Sequence, residues 1–382
     1  MFFTEDHDMT MRRRNPARVR AWGVPRLVST VGGMALAAIL LASCASGSKA
    51  PTAQASGSSH PIVGFMIPDS TTPRWTAQDA PDFISAMHKL DPSARVVVEN
   101  ADNSPATQLA QAQALISEGA KAIVLVAVDE VQAGTIVRAA HSAGIPVIAY
   151  TRMPSDSPVS YMVGSSPYLI GVDLGKYIMA HTKQGDTIAV LNGSFTDSFA
   201  HAEHNGFMSV LQPAFTSGSR HEVGNVWTPN WLPSDAQAEM AAILTQTHNN
   251  VQAVLSPNDG LATGVIAALS TQGLAGKIPV TGIDGGLNGD RLILKGLLSM
   301  TVWRNSKVEA YNAAQIVQYV LDGKKPPKTF FDSSVYNGLV HVPLKTHGAT
   351  VITAKNMYLE IQAGVFTKGQ LCAGIPAGTG PC

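Results

Sequence analysis

Short apolar runs alternate with longer amphipathic stretches from residue 62 onward. The run Ile62–Ile67 is typical of a strand buried on both faces of a parallel sheet. Similar runs predict strands at Arg95–Glu99, Ala122–Val128 and Ile145–Tyr150. The stretches between them predict a helix that ends at Leu90 and two more helices, Ser104–Glu118 and Val131–Ser142. Ser104 suits the cap of its helix, because its side-chain oxygen can accept from a free backbone N–H.

The second half of the chain repeats this pattern. Strands are predicted at Thr187–Leu191, Glu222–Val226, Ala253–Ser256, Val280–Ile283, Met300–Trp303 and Val340–Pro343, and helices at Asp235–Thr247, Leu261–Gln272 and Lys307–Leu321. Regular alternation of strands and helices predicts parallel sheets with right-handed crossovers. We therefore expect an α/β fold of two doubly wound parallel-sheet lobes joined by a hinge.

The expected boundaries follow from where the pattern restarts. The first lobe is placed at residues 61–164, with part of a C-terminal crossover segment at about 305–330, and the second lobe at residues 165–304. Residues 305–382 then hold the crossover and the tail. Cys372 and Cys382 in that tail are expected to form a disulfide in an oxidising compartment, and two free thiols are the alternative.

The N-terminus has the layout of an export signal. Arginines cluster between residues 12 and 26, and an apolar, uncharged run follows from Leu27 to Ala42. That run is shorter than the roughly 20 residues a spanning helix needs, so a transmembrane anchor is the weaker interpretation. It ends in Leu41-Ala42-Ser43-Cys44, which resembles the bacterial lipobox. We expect a lipoprotein signal peptide at residues 1–43, a lipid on Cys44, a flexible tether at residues 44–60, and an extracytoplasmic protein anchored to the cell membrane.

Composition excludes several classes of function. Lys+Arg and Asp+Glu balance at 27 each and the basic excess is confined to the N-terminus, so nucleic acid is not an expected partner. The three cysteines lack CxxC spacing, and His201 and His204 have no evident third ligand, so no metal or cofactor is expected. Motifs of hydrolases and of P-loop enzymes are absent from the sequence, which argues against an enzyme and leaves no catalytic residue to name.

Polar and aromatic residues recur at the carboxyl ends of the predicted strands, where α/β sheets bind ligands. They include Arg74, Trp75, Arg152, Asp197, Trp231, Asn258, Asp284 and Arg304. Carboxylates and amides accept from sugar hydroxyls, arginines donate to them, and tryptophans stack on the apolar face of a sugar ring. Each residue also has a simpler interpretation: Asn258 as a helix cap, Asp284 as a turn residue, and the others as packing or surface charge.

Longer motifs in the same segments resemble a known family. Pro73-Arg-Trp75, Ala149-Tyr-Thr-Arg-Met153, Trp231-Leu-Pro233, Ser256-Pro-Asn-Asp259 and Met300-Thr-Val302 are similar, in this order, to motifs of periplasmic sugar-binding proteins of the ribose-binding class, in particular its D-xylose-binding members. The resemblance implies that Arg74, Arg152, Trp231, Asn258 and Asp284 contact the sugar. It also implies delivery of that sugar to the permease of an ABC importer.

Three positions depart from the family pattern. Thr151 stands where the family has an aspartate, Phe199 aligns with an asparagine near Asp197, and Arg304 replaces a lysine. Losing an acceptor costs about 1–3 kcal/mol when nothing replaces it, so the expected ligand is D-xylose, a related pentose, a hexose or an alditol.

The functional expectation is a monomeric solute-binding lipoprotein that closes on its sugar at a hinge. The alternative is an extracytoplasmic sensor that presents a bound sugar, alditol or other small polar ligand to a membrane kinase or chemoreceptor. A repressor shares the bilobal design, but it would carry a DNA-binding headpiece where this chain has an export signal.

Overall fold

The computed structural model describes residues 60–382, so Cys44, the expected signal peptide and almost all of the expected tether lie outside the described residues. The first half of the described chain alternates strands and helices. Its strands are β1 (Ile62–Ile67), β2 (Arg95–Asn100), β3 (Ala122–Leu125), β4 (Val147–Tyr150) and β5 (Tyr161–Gly164). Its helices are α1 (Ala80–Leu90), α2 (Pro105–Ser117) and α3 (Glu130–Ser142), with one π-helical turn, Trp75–Asp79, before α1.

The second half builds a similar structure. Its helices are α4 (Pro167–Ala180), α5 (Ser198–Thr216), α6 (Pro233–Gln246), α7 (Asp259–Thr271) and α8 (Leu287–Leu294). Its strands are β6 (Thr187–Asn192), β7 (His221–Trp227), β8 (Ala253–Leu255), β9 (Ile283–Asp284) and β10 (Thr301–Arg304). The remainder comprises α9 (Ser306–Leu321), β11 (Ser333–Tyr336), β12 (His341–Thr346), β13 (Ala349–Ile352), α10 (Tyr358–Gln362) and α11 (Lys368–Cys372).

The first sheet has the order β11-β12-β5-β4-β3-β1-β2, and all its pairs are parallel except β11 with β12. We call this sheet and its helices α1, α2, α3 and α9 the first lobe. The central strand β3 is completely buried, as its uninterrupted apolar run predicts, whereas the edge strand β2 is partly exposed.

The second lobe contains two three-stranded sheets, β7-β6-β8 and β13-β10-β9. A single parallel bridge between Val254 and Val280 joins them, and β13 is their antiparallel member. Helix α4 packs closely on α5, where Gly171 and Gly206 lie because a Cβ at either position would collide with the facing helix backbone at 2.1 Å. The mainly parallel sheets of both lobes, with their flanking helices, confirm the expected fold class.

The chain passes between the lobes at three places. β5 of the first lobe leads into α4 of the second, β10 of the second leads into α9 of the first, and β12 leads back to β13. The first lobe therefore takes in residues up to Thr346, beyond the expected limit near residue 330, because β11 and β12 extend its sheet.

Two further features concern the C-terminal tail and the length of the helices. Cys372 and Cys382 form a disulfide that ties α11 to the end of the chain. No helix within residues 60–382 is both long and apolar enough to cross a membrane.

Candidate ligand-binding site

One cavity with an empty volume of about 330 Å³ lies where the carboxyl ends of strands from both lobes face each other. The lining residues are Thr72, Arg74, Trp75, Thr151, Arg152, Asp197, Phe199, Trp231, Pro257, Asn258, Ile283, Asp284 and Arg304. All ten residues expected to bind ligand are thus brought together around one space.

Helix caps explain how two of the polar side chains are fixed. Asp197 caps α5 by accepting from the Phe199 N–H at 2.9 Å, and Asn258 caps α7 by accepting from the Leu261 N–H at 2.7 Å. The capping interpretation of Asn258 is confirmed, and the same side chain also lines the cavity. Asn258 uses its oxygen for the cap, which leaves its amide nitrogen as a donor.

Three cavity residues have positive φ angles. Thr151 has φ 65°, Trp231 has φ 55° and Asp284 has φ 117°. A β-branched residue with positive φ is a genuine outlier, and such conformations cost of order 1–3 kcal/mol each. Strain of this kind concentrates at binding sites, where the surrounding structure holds a side chain in a working orientation.

Arg74 is held by carboxylates from its own lobe. Its Nε and Nη2 donate to the two oxygens of Asp79 at 2.7 Å each, and Nη2 also donates to Glu309 at 3.1 Å. Asp79 in turn accepts from the Tyr150 hydroxyl at 2.6 Å. The remaining nitrogen, Nη1, lies 3.6 Å from Asp284 of the second lobe. The guanidinium plane is thereby fixed with one nitrogen directed across the cleft.

Arg152 links the lobes through Asp197. Its Nε lies 2.8 Å from Asp197 Oδ2, and its Nη1 donates to the backbone oxygen of Ala127 at 3.0 Å. The same Asp197 oxygen accepts from Trp231 Nε1 at 3.1 Å. The Trp231 ring packs so closely over Gly193 that a Cβ there would lie 2.1 Å from it. Asp197 therefore orients an arginine and a tryptophan, and its own oxygens are largely occupied by protein donors.

Arg304 contacts Thr151 and Phe199, the two other positions that are expected to depart from the family pattern. Arg304 donates from Nη2 to the Thr151 hydroxyl at 2.8 Å and from Nε to Ser165 at 3.0 Å, and its guanidinium lies 4.7 Å from the centre of the Phe199 ring. A planar guanidinium can stack on an aromatic ring while it forks between hydroxyls, which an ammonium group cannot do. The three residues form one packed unit, defined here as the Thr151–Phe199–Arg304 unit.

Burial and neighbouring charges shift the pKa values of the acidic residues around the cavity. Burial raises the pKa of Asp284 to about 6, although Arg74 and Arg304 oppose the shift. Glu203 on α5 is fully buried, and burial together with Asp284 and Asp197 raises its pKa well above the ordinary value. Burial would also raise the pKa of Glu309, but the positive charges of Arg304 and Arg74 and the hydrogen bond with His347 outweigh it and lower that pKa.

Sequence reasoning missed the carboxylates that support the arginines. Glu309 lies in the first turn of α9, and its oxygens accept from Thr151 at 2.6 Å and from His347 at 3.1 Å besides the arginines. The only signal in the sequence is an acidic residue near a helix N-terminus, which is common for reasons of the helix dipole. Asp79, likewise, resembles an ordinary helix residue. Thr72, Pro257 and Ile283 also line the cavity and belong to segments that the strand-end pattern singled out.

Three buried polar atoms around the cavity have no hydrogen-bond partner among the described residues. They are Thr72 Oγ1, Arg74 Nη1 and Trp75 Nε1, from one short loop after β1. An unpaired buried polar group costs about 1–3 kcal/mol, so proteins seldom leave several of them together. A polar ligand in the cavity would supply the missing partners.

Other residues near the strand ends lie elsewhere. Trp227 packs against Phe195, His201 and His204 at ring distances of 4.5–5.3 Å and does not line the cavity. Asp259 lies beneath α8, where Gly282 and Gly289 pack on its carboxyl. Within residues 60–382, no group of His, Cys, Asp and Glu side chains is arranged to hold a metal ion.

The periplasmic binding protein domain family matches residues 63–325 of this chain. The chain belongs to the periplasmic binding protein family. The D-xylose-binding periplasmic protein of Escherichia coli K12 is 32% identical to this periplasmic binding protein over 281 residues, which cover 74% of this chain and 83% of that protein. This family membership confirms the resemblance seen in the motifs.

Solved structures show the same fold as this periplasmic binding protein. An ABC transporter solute-binding protein from Clostridium phytofermentans with bound β-D-glucose is 28% identical, with a TM-score of 0.72 over 81% of this chain and 99% of that chain. A carbohydrate transporter solute-binding protein from Chloroflexus aurantiacus in complex with D-glucose has a TM-score of 0.74 over 81% of this chain and 97% of that chain, and at 24% identity it shows the fold alone. The relatives are binding proteins, and this chain is not an enzyme.

Proposed function

We propose that this protein is the sugar-binding component of an ABC importer and that its ligand is D-xylose or a related monosaccharide. The single observation that carries the proposal is the set of unpaired buried donors on Thr72, Arg74 and Trp75, which line the same small cavity as Trp231 and Asp284. Flat aromatic faces with arginine donors and carboxylate acceptors match the chemistry of a sugar ring. The D-xylose-binding relative supports the choice of a pentose.

The proposed mechanism is closure of the two lobes on the ligand. Arg74 and Arg152 come from the first lobe, and their carboxylate partners across the cleft, Asp284 and Asp197, come from the second. A sugar that contacts both sides binds the closed form better than the open form and shifts the population toward it. The importer's permease then recognises the closed form. No covalent chemistry takes part.

The Thr151–Phe199–Arg304 unit is the proposed origin of any difference in specificity from xylose-binding relatives. Glu309 and Arg304 already occupy the Thr151 hydroxyl, so it is a weaker acceptor for the ligand than an aspartate would be. Phe199 adds an apolar face in place of an amide. A hydroxyl that the family's asparagine would bind therefore meets an aromatic ring, which favours a ligand with an apolar edge at that position.

A thermal-shift screen tests the ligand class. The described residues 60–382 form one compact unit, so a protein that begins at Ala45 is suitable. Pentoses, hexoses and alditols are tested separately, because a ligand at 100 times its Kd stabilises the native state by about 2.7 kcal/mol. An increase in Tm with D-xylose supports the pentose assignment, and an increase only with another sugar moves the assignment to that sugar. No shift with any of them contradicts the proposal.

A matched pair of tryptophan variants tests the cavity. Trp231→Ala removes a ring that lines it, and we expect the Kd of the best ligand to rise at least tenfold, measured by isothermal titration calorimetry. Trp227→Ala makes the same substitution outside the cavity and should change the Kd less than twofold. Equal effects of the two substitutions would contradict the assigned site.

The lipid anchor is proposed on the sequence of the export signal alone. Cys44→Ser removes the thiol that would carry the lipid, and we expect the protein to move from the membrane fraction to the soluble fraction. Retention of the variant in the membrane fraction would overturn the anchor and leave the sugar-binding proposal unaffected.

A further inference from the structure

A second cavity lies beside the first, between the same two lobes. Its empty volume, measured to its open mouth, is about 910 Å³, compared with about 330 Å³ for the ligand cavity. Arg74 and Asp284 line both cavities, and the 3.6 Å between their charged groups forms part of the wall that separates them. A substituent on a sugar in the first cavity would pass this pair to reach the second.

The walls of the second cavity combine apolar surface with a few polar side chains, most of them uncharged. Thr71 and Gln78 contribute from the first lobe, and Thr263 and Asn288 contribute from the second. Arg74 is the one cation among the described lining residues, and burial together with Asp284 raises the pKa of the Asp259 carboxyl well above its usual value. Amides and hydroxyls with little net charge suit a neutral polyhydroxylated group better than a phosphate or an amine.

The two amide side chains, Gln78 and Asn288, differ in their hydrogen bonds. Gln78 connects the lobes, since its Nε2 donates to the Gly285 oxygen at 3.4 Å and its Oε1 accepts from the Ser306 hydroxyl at 3.3 Å. Asn288, exposed in the first turn of α8, makes no side-chain hydrogen bond to any described residue. Its amide therefore has a donor and an acceptor free at the cavity wall.

Glycines keep the second-lobe wall open. Gly289 is required by packing, because a Cβ there would lie 2.3 Å from Asp259 Oδ2. Gly260 is not required by packing, because a Cβ there would lie 3.4 Å or more from the Asn258 atoms, which is ordinary van der Waals contact. Glycine within a helix costs up to about 1 kcal/mol relative to alanine. The glycine at position 260 thus leaves space at the cavity that the fold itself does not need.

We propose that the cleft binds a glycoside, with one sugar ring in the first cavity and the group linked to it in the second. The ligand class then extends from the free monosaccharide to disaccharides and other glycosides of a xylose-like sugar. This inference rests on the proposed sugar-binding function and adds a second subsite to it.

Calorimetric titration of the purified protein tests the subsite. The probes are D-xylose, methyl β-D-xyloside and β-1,4-xylobiose, with D-glucose, both methyl glucosides, cellobiose and maltose as a second series. We expect at least one disaccharide to bind tenfold or more tightly than its own monosaccharide. Binding of monosaccharides with no measurable binding of any disaccharide would overturn the subsite while the proposed function stands, and binding of none of the probes would overturn both.

A pair of variants at one position locates the effect. Asn288→Trp puts a large ring at the mouth of the second cavity from an exposed position, so the fold should be retained and the Tm unchanged. We expect it to weaken disaccharide binding at least tenfold and to change the monosaccharide Kd less than twofold. Asn288→Ala should weaken disaccharide binding only two- to fivefold. Unchanged disaccharide binding in Asn288→Trp would refute the subsite.

Discussion

The substitution Glu309→Gln examines the charge network behind the ligand cavity. Glu309 is fully buried and accepts hydrogen bonds from four side chains. Their distances are 2.6 Å from Thr151, 3.1 Å from both Arg74 and His347, and 3.5 Å from Arg304. Glutamine keeps the size of the side chain but removes its charge and replaces one acceptor oxygen with a donor. One end of the new amide would therefore face a donor.

The cost can be worked out from the partners that remain. Arg74 keeps the bidentate contact with Asp79 at 2.7 Å, whereas Arg304 loses its only carboxylate within 4.0 Å among the described residues. Removing one partner of a buried ion pair costs about 3–5 kcal/mol, because the other charge stays buried without compensation. A loss of this size lowers Tm by about 4–7 °C in a protein of this length, because the entropy of unfolding is about 2.1 cal/mol/K per residue.

Glu360→Gln is the matched control, since it makes the same change at another buried glutamate. Burial and the neighbouring Asp290 raise the pKa of Glu360 to about 10, so this side chain is neutral at pH 7 and its replacement by glutamine removes no charge. We expect a cost below about 1 kcal/mol. Urea unfolding at pH 7, followed by tryptophan fluorescence and by circular dichroism, gives both values. Equal costs for the two variants would refute the assignment of Glu309 as the charged centre.

Three further predictions concern binding and pH. Because the pKa of Asp284 lies at about 6, protonation removes a charged acceptor as pH falls from 7.5 to 5, and ligand Kd should rise roughly tenfold in calorimetry, while Asp284→Asn should bind weakly with no such dependence. Gly193→Ala should displace the ring of Trp231 and raise Kd at least tenfold with little change in secondary structure, and an unchanged Kd would contradict that packing. Burial and Asp197 raise the pKa of Glu130 to about 7, so this group's stabilisation is full below its unfolded pKa of about 4.3 and is lost as pH rises through 7; Glu130→Gln should flatten that part of the urea-midpoint profile, and a profile of unaltered slope would argue against it.

Much of the architecture could be predicted from periodicity. The buried strands β1, β4 and β6 follow apolar runs whose ends agree with the predicted ends to within a few residues. Their topology then places the carboxyl ends of the strands at one cleft, which is why residues as distant in sequence as Arg74 and Arg304 could be assigned to one site. The predicted strand Val280–Ile283 was displaced, since the structure has only a single bridge at Val280 and then β9 at Ile283–Asp284.

The supporting carboxylates could not be predicted in this way. Glu309 belongs to α9, which follows the second crossing between the lobes, and no local pattern encodes that crossing. Asp79 lies in the helical turn after β1, where nothing in the local sequence marks it as a partner of Arg74. The antiparallel strand β13 was missed for a related reason, because its partner β10 is set by the third crossing rather than by its own sequence. β11 was missed although it pairs with β12 across a short turn, because it is a short and mostly exposed edge strand. Local patterns encode elements, whereas contacts between crossings depend on the assembled fold.

The arrangement of the arginines explains why a binding protein would keep buried charged groups at its cavity despite their desolvation cost. Arg74, Arg152 and Arg304 each use some of their nitrogens on fixed protein acceptors, and each guanidinium lies within 4.7–5.7 Å of the centre of an aromatic ring in the cavity. A side chain held at several points loses little further freedom when a ligand arrives, so its remaining donors bind at a lower entropic cost. Because Thr151, Glu309 and Arg304 share hydrogen bonds, a substitution at any one of them reorients the others. A test of specificity should therefore exchange Thr151, Phe199 and Arg304, the three expected departures from the family pattern, together rather than singly.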